Sequence, residues 1–172
     1  MLADRIWEWA LPSLSVQASS PAKGGDNGEG DTSVANFNDA TITRLFVSQV
    51  NSTVADDAPN APNQGNFAAN IEMTAGTALQ SEGYTVTWGC TDITLGAPAP
   101  GLIPAALNGA GNFDVPPWTK DPSGLFLVYQ QQATVNRPGP AGQGHLYQYS
   151  ATLVTTNGQV ASYSISDPFL VL

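Results

Sequence analysis

The 172-residue sequence predicts an all-β fold, an antiparallel immunoglobulin-like β-sandwich of about seven strands. Three observations carry that expectation. Short runs of β-branched and aromatic residues recur from Thr41 onward, Gly- and Pro-rich stretches separate them, and no long segment repeats apolar residues with helical period. Cys90 is the sole cysteine, so the Cys, Trp, Cys pattern of antibody domains is absent. The likeness is therefore one of architecture, which does not by itself give a function.

Three segments are expected. Residues 1–10 read as a short amphipathic helix, with Leu2, Ile6 and Trp9 at helical spacing, Trp7 widening the apolar face and Pro12 ending it. Ten residues are too few for a stable isolated helix in water, so the segment 1–16 either docks on its own domain, docks on another subunit or a partner, or frays. Residues 17–36, with Gly24-Gly25 and Asp26-Asn27-Gly28-Glu29-Gly30, form an acidic Gly/Ser-rich linker that cannot bury enough apolar surface to order itself. Residues 37–172 form the sandwich.

Within the sandwich, Thr41 to Val50 reads as the first strand, and 56–65 as a long polar loop. Ile71, Met73, Ala78 and Leu79 suggest a short strand broken at Gly76. Tyr84, Val86, Trp88 and Cys90 alternate with small residues, which places them on one core-facing side of a strand. The Pro- and Gly-rich stretch from Thr94 to Trp118 is a surface excursion, with a short strand or helical turn near Leu102 to Leu107. Leu125 to Tyr129 is another strand, and 137–144 is a turn-rich link.

The C-terminal stretch from His145 is a hairpin around Asn157-Gly158, a pair suited to a type I′ turn because both central residues need positive φ. Two registers are open. A two-residue loop sets Leu153 opposite Ser162 and Val154 opposite Ala161. A three-residue loop sets Leu153 opposite Tyr163 and Ala151 opposite Ile165, which gathers the apolar residues on one face and is favoured for that reason. Pro168 cannot donate to a ladder, so Asp167-Pro168 belongs at a kink or an edge, with 169–172 as a short closing strand.

Composition narrows the function. A net charge of −9, from 14 acidic against 5 basic residues, repels phosphate backbones and anionic lipid, so neither nucleic acid nor a membrane surface is an expected partner. No run approaches the ~20 apolar residues of a membrane span. The N-terminus has no signal-peptide pattern, and a cytoplasmic location is expected. Charged residues make up only 11% of the chain, which leaves much of the surface to uncharged polar side chains.

Few residues suggest chemistry. His145, the one histidine, lacks a recognisable nucleophile motif and reads as a surface or hydrogen-bonded structural residue rather than a base. Cys90 reads as a small buried hydrophobe. Asp56, Asp57, Asn60 and Asn63 could offer oxygen ligands, but their spacing does not fit an EF-hand, and no metal or other cofactor is expected. Core filling is the favoured fate of Trp118, as the more frequent one for a Trp in such a loop; the competing reading makes it the candidate ligand-binding residue, an exposed aromatic platform for a sugar or small apolar molecule.

The run Tyr147-x-Tyr149-x-Ala151-x-Leu153, the turn at Gly158, and Tyr163 through Asp167-Pro168-Phe169-Leu170-Val171 resemble the C-terminus of the AidA/PixA family of bacterial inclusion-body proteins. Ser166 stands where the family carries Trp. The stretch 71–95, with Gly76 and Trp88, and the opening strand and Asn/Pro-rich loop of 41–63 are similar more loosely. The N-terminal helix and linker have no counterpart. This resemblance implies a β-sandwich that self-associates in bacterial cytoplasm, and it implies no reaction or cofactor. The expected function is thus a non-enzymatic, self-associating protein, with Ile6, Trp7 and Trp9 as docking residues; the alternative is a lectin-like or apolar-ligand binding module.

Overall fold

A computed structural model describes residues 38–61, 64–158 and 160–172. The expected helix with Ile6, Trp7 and Trp9, and the linker after it, lie outside the described residues. Among the described residues there are ten strands: β1 (Ala40–Gln49), β2 (Phe67–Gly76), β3 (Gly83–Asp92), β4 (Ala97–Pro98), β5 (Gly109–Asn112), β6 (Thr119–Lys120), β7 (Phe126–Val135), β8 (His145–Thr155), β9 (Ala161–Ile165) and β10 (Phe169–Val171). All pair antiparallel, in two sheets. The first runs β1-β2-β7-β6, and the second runs β10-β8-β3-β4, with β5 also on β3 and β9 also on β8. The excursion after Thr94 contains two 3-10 turns, Pro100–Leu102 and Ala105–Leu107, in place of a longer element.

The alternation of β3 does what its sequence requires. Tyr84, Val86, Trp88 and Cys90 are buried, while Thr85, Thr87 and Thr91 are exposed. Directly across, Tyr147, Tyr149, Ala151 and Leu153 of β8 point the same way. The first sheet adds Leu45, Phe67, Ile71, Met73, Leu127 and Tyr129 to the same core. Aromatic pairs join the two layers: Phe67 of β2 meets Phe169 of β10 with ring centroids 5.6 Å apart.

Two strands form where propensity is weak. Gly109 to Asn112 is a poor strand sequence, yet it pairs with Gly83 to Val86 because its glycines let the rings of β3 approach. A Cβ at Gly111 would stand 2.6 Å from the Tyr84 hydroxyl, so only glycine fits there. The second half of β7, Gln130-Gln131-Gln132, has no apolar signal. It is held by side-chain amides: Gln132 Nε2 donates to Asn70 Oδ1 (3.0 Å) and to the Ser52 carbonyl (2.8 Å), while Asn70 Nδ2 donates to Ser48 Oγ (2.9 Å).

The terminal hairpin does not take the favoured register. Leu153 lies opposite Ser162 and Val154 opposite Ala161, so Tyr163 and Ile165 turn outward and Ser162 and Ser164 turn inward. Hydrogen bonding outweighs apolar matching here. The ladder between β1 and β2 shifts register between Ile42 and Arg44, and the Ile42 N–H donates to Ser162 Oγ (3.1 Å). A tyrosine turned inward at this place could not answer that donor at the same reach. The turn is also not type I′: of its two central residues only Gly158 has positive φ, at 68°. Thr155 closes it instead. Its N–H donates to the Val160 carbonyl (3.0 Å), and its hydroxyl donates to Asn157 Oδ1 (2.7 Å) and accepts from the Val160 N–H (3.1 Å).

Asp167-Pro168 sits at the expected kink. Between the pairs Ser150–Ile165 and Tyr147–Phe169, β8 advances three residues while the opposing chain advances four, which is a one-residue bulge. Proline's missing N–H therefore costs no ladder bond. Buried Ser166 completes the join: its N–H donates to the Tyr149 carbonyl (2.9 Å), and its Oγ accepts from the Tyr149 N–H (3.0 Å).

Burial of the tyrosines sets an alkaline limit on the fold. Burial pushes the Tyr84, Tyr129, Tyr147 and Tyr149 hydroxyls up, Tyr129 to about 12. Because the folded values exceed the unfolded value of about 10, the stability they confer is complete below that pH and is lost as pH rises toward the folded values. An absorbance titration of the phenolates should show these four ionising in one cooperative step with unfolding. Gradual ionisation ahead of the loss of circular dichroism would contradict the packing described.

Candidate functional site

Trp118 is not an exposed platform. It is 7% exposed and lies among Tyr84, Phe113 and Tyr129, with ring centroids 5.7, 4.9 and 5.0 Å away. Its indole N–H donates to the Tyr84 hydroxyl (3.1 Å). Strand β6 follows it immediately and pairs with β7, which turns the ring into the core and leaves no face for a ligand. Core filling, the favoured of its two expected fates, is the one it takes, and the short strand after the proline-rich flank brings it there.

The polar cluster with most chemical potential joins β3 to β8. His145 Nδ1 and Asp92 Oδ2 are 2.7 Å apart, and Asp92 Oδ1 also accepts the Leu95 N–H (3.0 Å). Burial pushes the Asp92 carboxyl up, but the hydrogen bonds from His145 and from the Leu95 and Thr94 N–H groups outweigh it and hold the group below the usual aspartate value. Cys90, two residues away, is buried. Burial first, and then the Asp92 charge, push its thiol up to about 12, so it is protonated at neutral pH and is not a nucleophile. The pair fastens the Asp92–Leu95 turn to the start of β8.

Beside this pair lies a cleft of about 360 Å³. Leu95, Pro98 and Leu102 line one wall and Arg137 and Pro138 the other, with Asp92 and Tyr147 between them. Apolar side chains and a carboxylate meet there. The Arg137 side chain is engaged nearby, donating from Nε to the Leu172 carbonyl (2.8 Å) and from Nη2 to Gln64 Oε1 (3.0 Å).

Two of the oxygen-bearing side chains in the polar loop after β1 are engaged, while Asp57 is exposed. Asp56 accepts from the Ala58 N–H (2.9 Å) and from Gln49 Nε2 (3.2 Å). Asn60, 3% exposed, clamps the last residue by donating to the Leu172 carbonyl (2.9 Å) and accepting its N–H (3.0 Å). Asn63 lies outside the described residues. Among the described residues no group of three or more His, Cys, Asp or Glu side chains is placed to hold a metal ion. No described helix is long and apolar enough to cross a membrane.

The C-terminal motif residues divide between core and surface. Phe169 is buried, stacked on Tyr149 with centroids 5.1 Å apart, and Asp167 and Pro168 are exposed at the bulge. Tyr163 is 67% exposed and Ile165 54% exposed on the outer face of the second sheet. Sequence reasoning assigned these two to the apolar inner side and so missed the surface they build. A Ser-rich alternate face, with hydroxyls able to serve a neighbouring bulge, was the one available signal.

Acid stability follows from two carboxyls. The Ser123 hydroxyl, the Phe126 N–H and other nearby groups hold the Asp121 carboxyl low, as the Asp92 partners hold theirs. Both folded values lie below the unfolded value of about 3.9, so their stabilisation is present above that pH and lost as pH falls through the folded values. Thermal melts across the acid range should show the midpoint falling there, and Asp92→Asn with Asp121→Asn should flatten that fall. An unchanged acid limb in the double variant would remove these two groups from the account.

Compared with protein-family models, curated proteins and solved structures, the chain shows no significant match.

Proposed function

We propose that this chain is a non-enzymatic, self-associating protein built on an immunoglobulin-like β-sandwich. The observation that carries the reading is the character of its surface. Leu95, Leu125, Leu146, Tyr163 and Ile165 are all exposed large apolar side chains, in a chain with only 11% charged residues. Scattered apolar residues are ordinary on soluble proteins; a charge-poor surface that also gathers several on one sheet favours contact with another protein surface. The resemblance of the C-terminal motif to the AidA/PixA inclusion-body family supports the same reading, including accumulation in bacterial cytoplasm. Ile6, Trp7 and Trp9 serve as a docking element on a second copy, which extends the assembly. Size-exclusion chromatography with light scattering tests this: the full chain should contain more subunits per particle, mass divided by subunit mass, than a form beginning at Phe37. Equal subunit numbers would remove the N-terminal segment from the assembly.

The second reading is a binding module for a small apolar ligand. It is favoured by the cleft between Leu95, Pro98, Leu102 and Pro138, since Trp118 is buried and takes no part. Ala97→Trp should fill the cleft and abolish a thermal shift produced by an apolar probe such as anilinonaphthalene sulfonate. A shift that survives the substitution would place the probe elsewhere.

A further inference from the structure

Resting on the self-association reading and naming its surface, we propose that the outer face of the β3–β8–β9 sheet is a two-fold interface between two copies of this chain. The cross-strand register defines the face row by row. Thr85 of β3 lies beside Val154 of β8, which lies beside Ala161 of β9; Thr87, Thr152 and Tyr163 form the next row, and Gly89, Ser150 and Ile165 the one after. Thr91 and Gln148 continue it toward Leu146 and Leu170. None of these residues is Asp, Glu, Lys, Arg or His, and the large ones include Tyr163, Ile165, Leu146 and Val154, all exposed.

Charge makes the partner a second copy. With a net charge of −9, two copies repel each other over most approaches, and the described carboxylates that face solvent lie on loops or on the other sheet. Asp167, at the margin, stands at the bulge against the 55–57 loop rather than on this face. A charge-free face meeting its own image escapes like-charge contact, and a two-fold axis closes the assembly on one patch.

The edges of the sheet leave face-to-face contact as the open mode. Along β3, β5 covers one end and β4 the other; between them Trp88 N–H donates to Asn108 Oδ1 (3.0 Å) and the Cys90 carbonyl accepts from the Ala99 N–H (2.8 Å). Beyond β9, the β1 N–H of Ile42 is already bonded to Ser162. Strand addition at either edge would displace these bonds. The area is that of a small interface: β3 and β8, with ten and eleven residues, and β9, with five, at ~3.3 Å rise and ~4.8 Å strand spacing give a footprint on the order of 400 Å² before side-chain relief, against ~800 Å² per partner in a standard stable interface, so a weak, concentration-dependent dimer is expected.

The test is sedimentation equilibrium of the full chain, of Tyr163→Lys combined with Ile165→Lys, and of Val54→Lys, which lies in a loop off this face. The expected result is association of the parent and of Val54→Lys, with the double variant weaker by about tenfold or more. Both altered side chains are mostly exposed, so the melting midpoint of the monomer should hold; Thr87→Lys, at the middle of the face, should weaken association in the same way and serves if the double variant unfolds. A parent that associates while the double variant and Thr87→Lys do so equally well would overturn this interface and leave self-association standing. A parent that stays monomeric would overturn self-association itself.

Discussion

Phe169→Ala should destabilise the fold by about 3–5 kcal/mol, the range for truncating a fully buried aromatic residue. The ring is 1% exposed and holds β10 in place: it stacks on Tyr149 at 5.1 Å, and it meets Phe67 of the other sheet at 5.6 Å. Strand β10 has only three residues, and its pairing to β8 begins at Phe169. Losing the ring leaves a cavity between the sheets and weakens the join that follows the Asp167-Pro168 bulge. Urea unfolding monitored by tryptophan fluorescence gives the value directly. A loss below about 1 kcal/mol, the usual size for a surface change, would mean that the C-terminal strand is not part of the core.

Trp118→Ala should cost a similar ~3–5 kcal/mol, because the cavity forms among Tyr84, Phe113 and Tyr129 and the Tyr84 hydroxyl loses the indole donor. Trp118→Phe should recover part of this, since it restores ring contacts but no donor. A platform for sugars or apolar ligands behaves oppositely. Its removal leaves stability within about 0.5 kcal/mol and abolishes binding, so the same denaturation curve separates the two roles.

Much of the architecture was legible because alternation is a direct physical signature. Tyr84, Val86, Trp88 and Cys90 announced the core face of β3, and Pro168 announced the kink before β10. The second half of β7 was hidden because Gln132 is held by an amide network with Ser48 and Asn70, and such a network has no apolar period. Strand β5 was hidden because its glycines are selected by the bulk of Tyr84, a residue distant in sequence. The hairpin register was misread for a related reason. Apolar residues were assumed to face inward, whereas the Ile42 N–H beside the β1 register shift is answered by the Ser162 hydroxyl, and Tyr163 and Ile165 are left outside. The burial of Trp118 was legible from the general tendency of a large aromatic ring to fill the core, but the β6–β7 pairing that buries it is a tertiary fact.

Sedimentation velocity of the full chain across a concentration series tests the central claim of self-association most directly. The account predicts a weight-average sedimentation coefficient that rises with concentration beyond that of a compact monomer of 17.9 kDa. A coefficient that stays at the monomer value throughout the series would contradict it, and would turn attention to the cleft between Leu95, Pro98 and Pro138 as a ligand site.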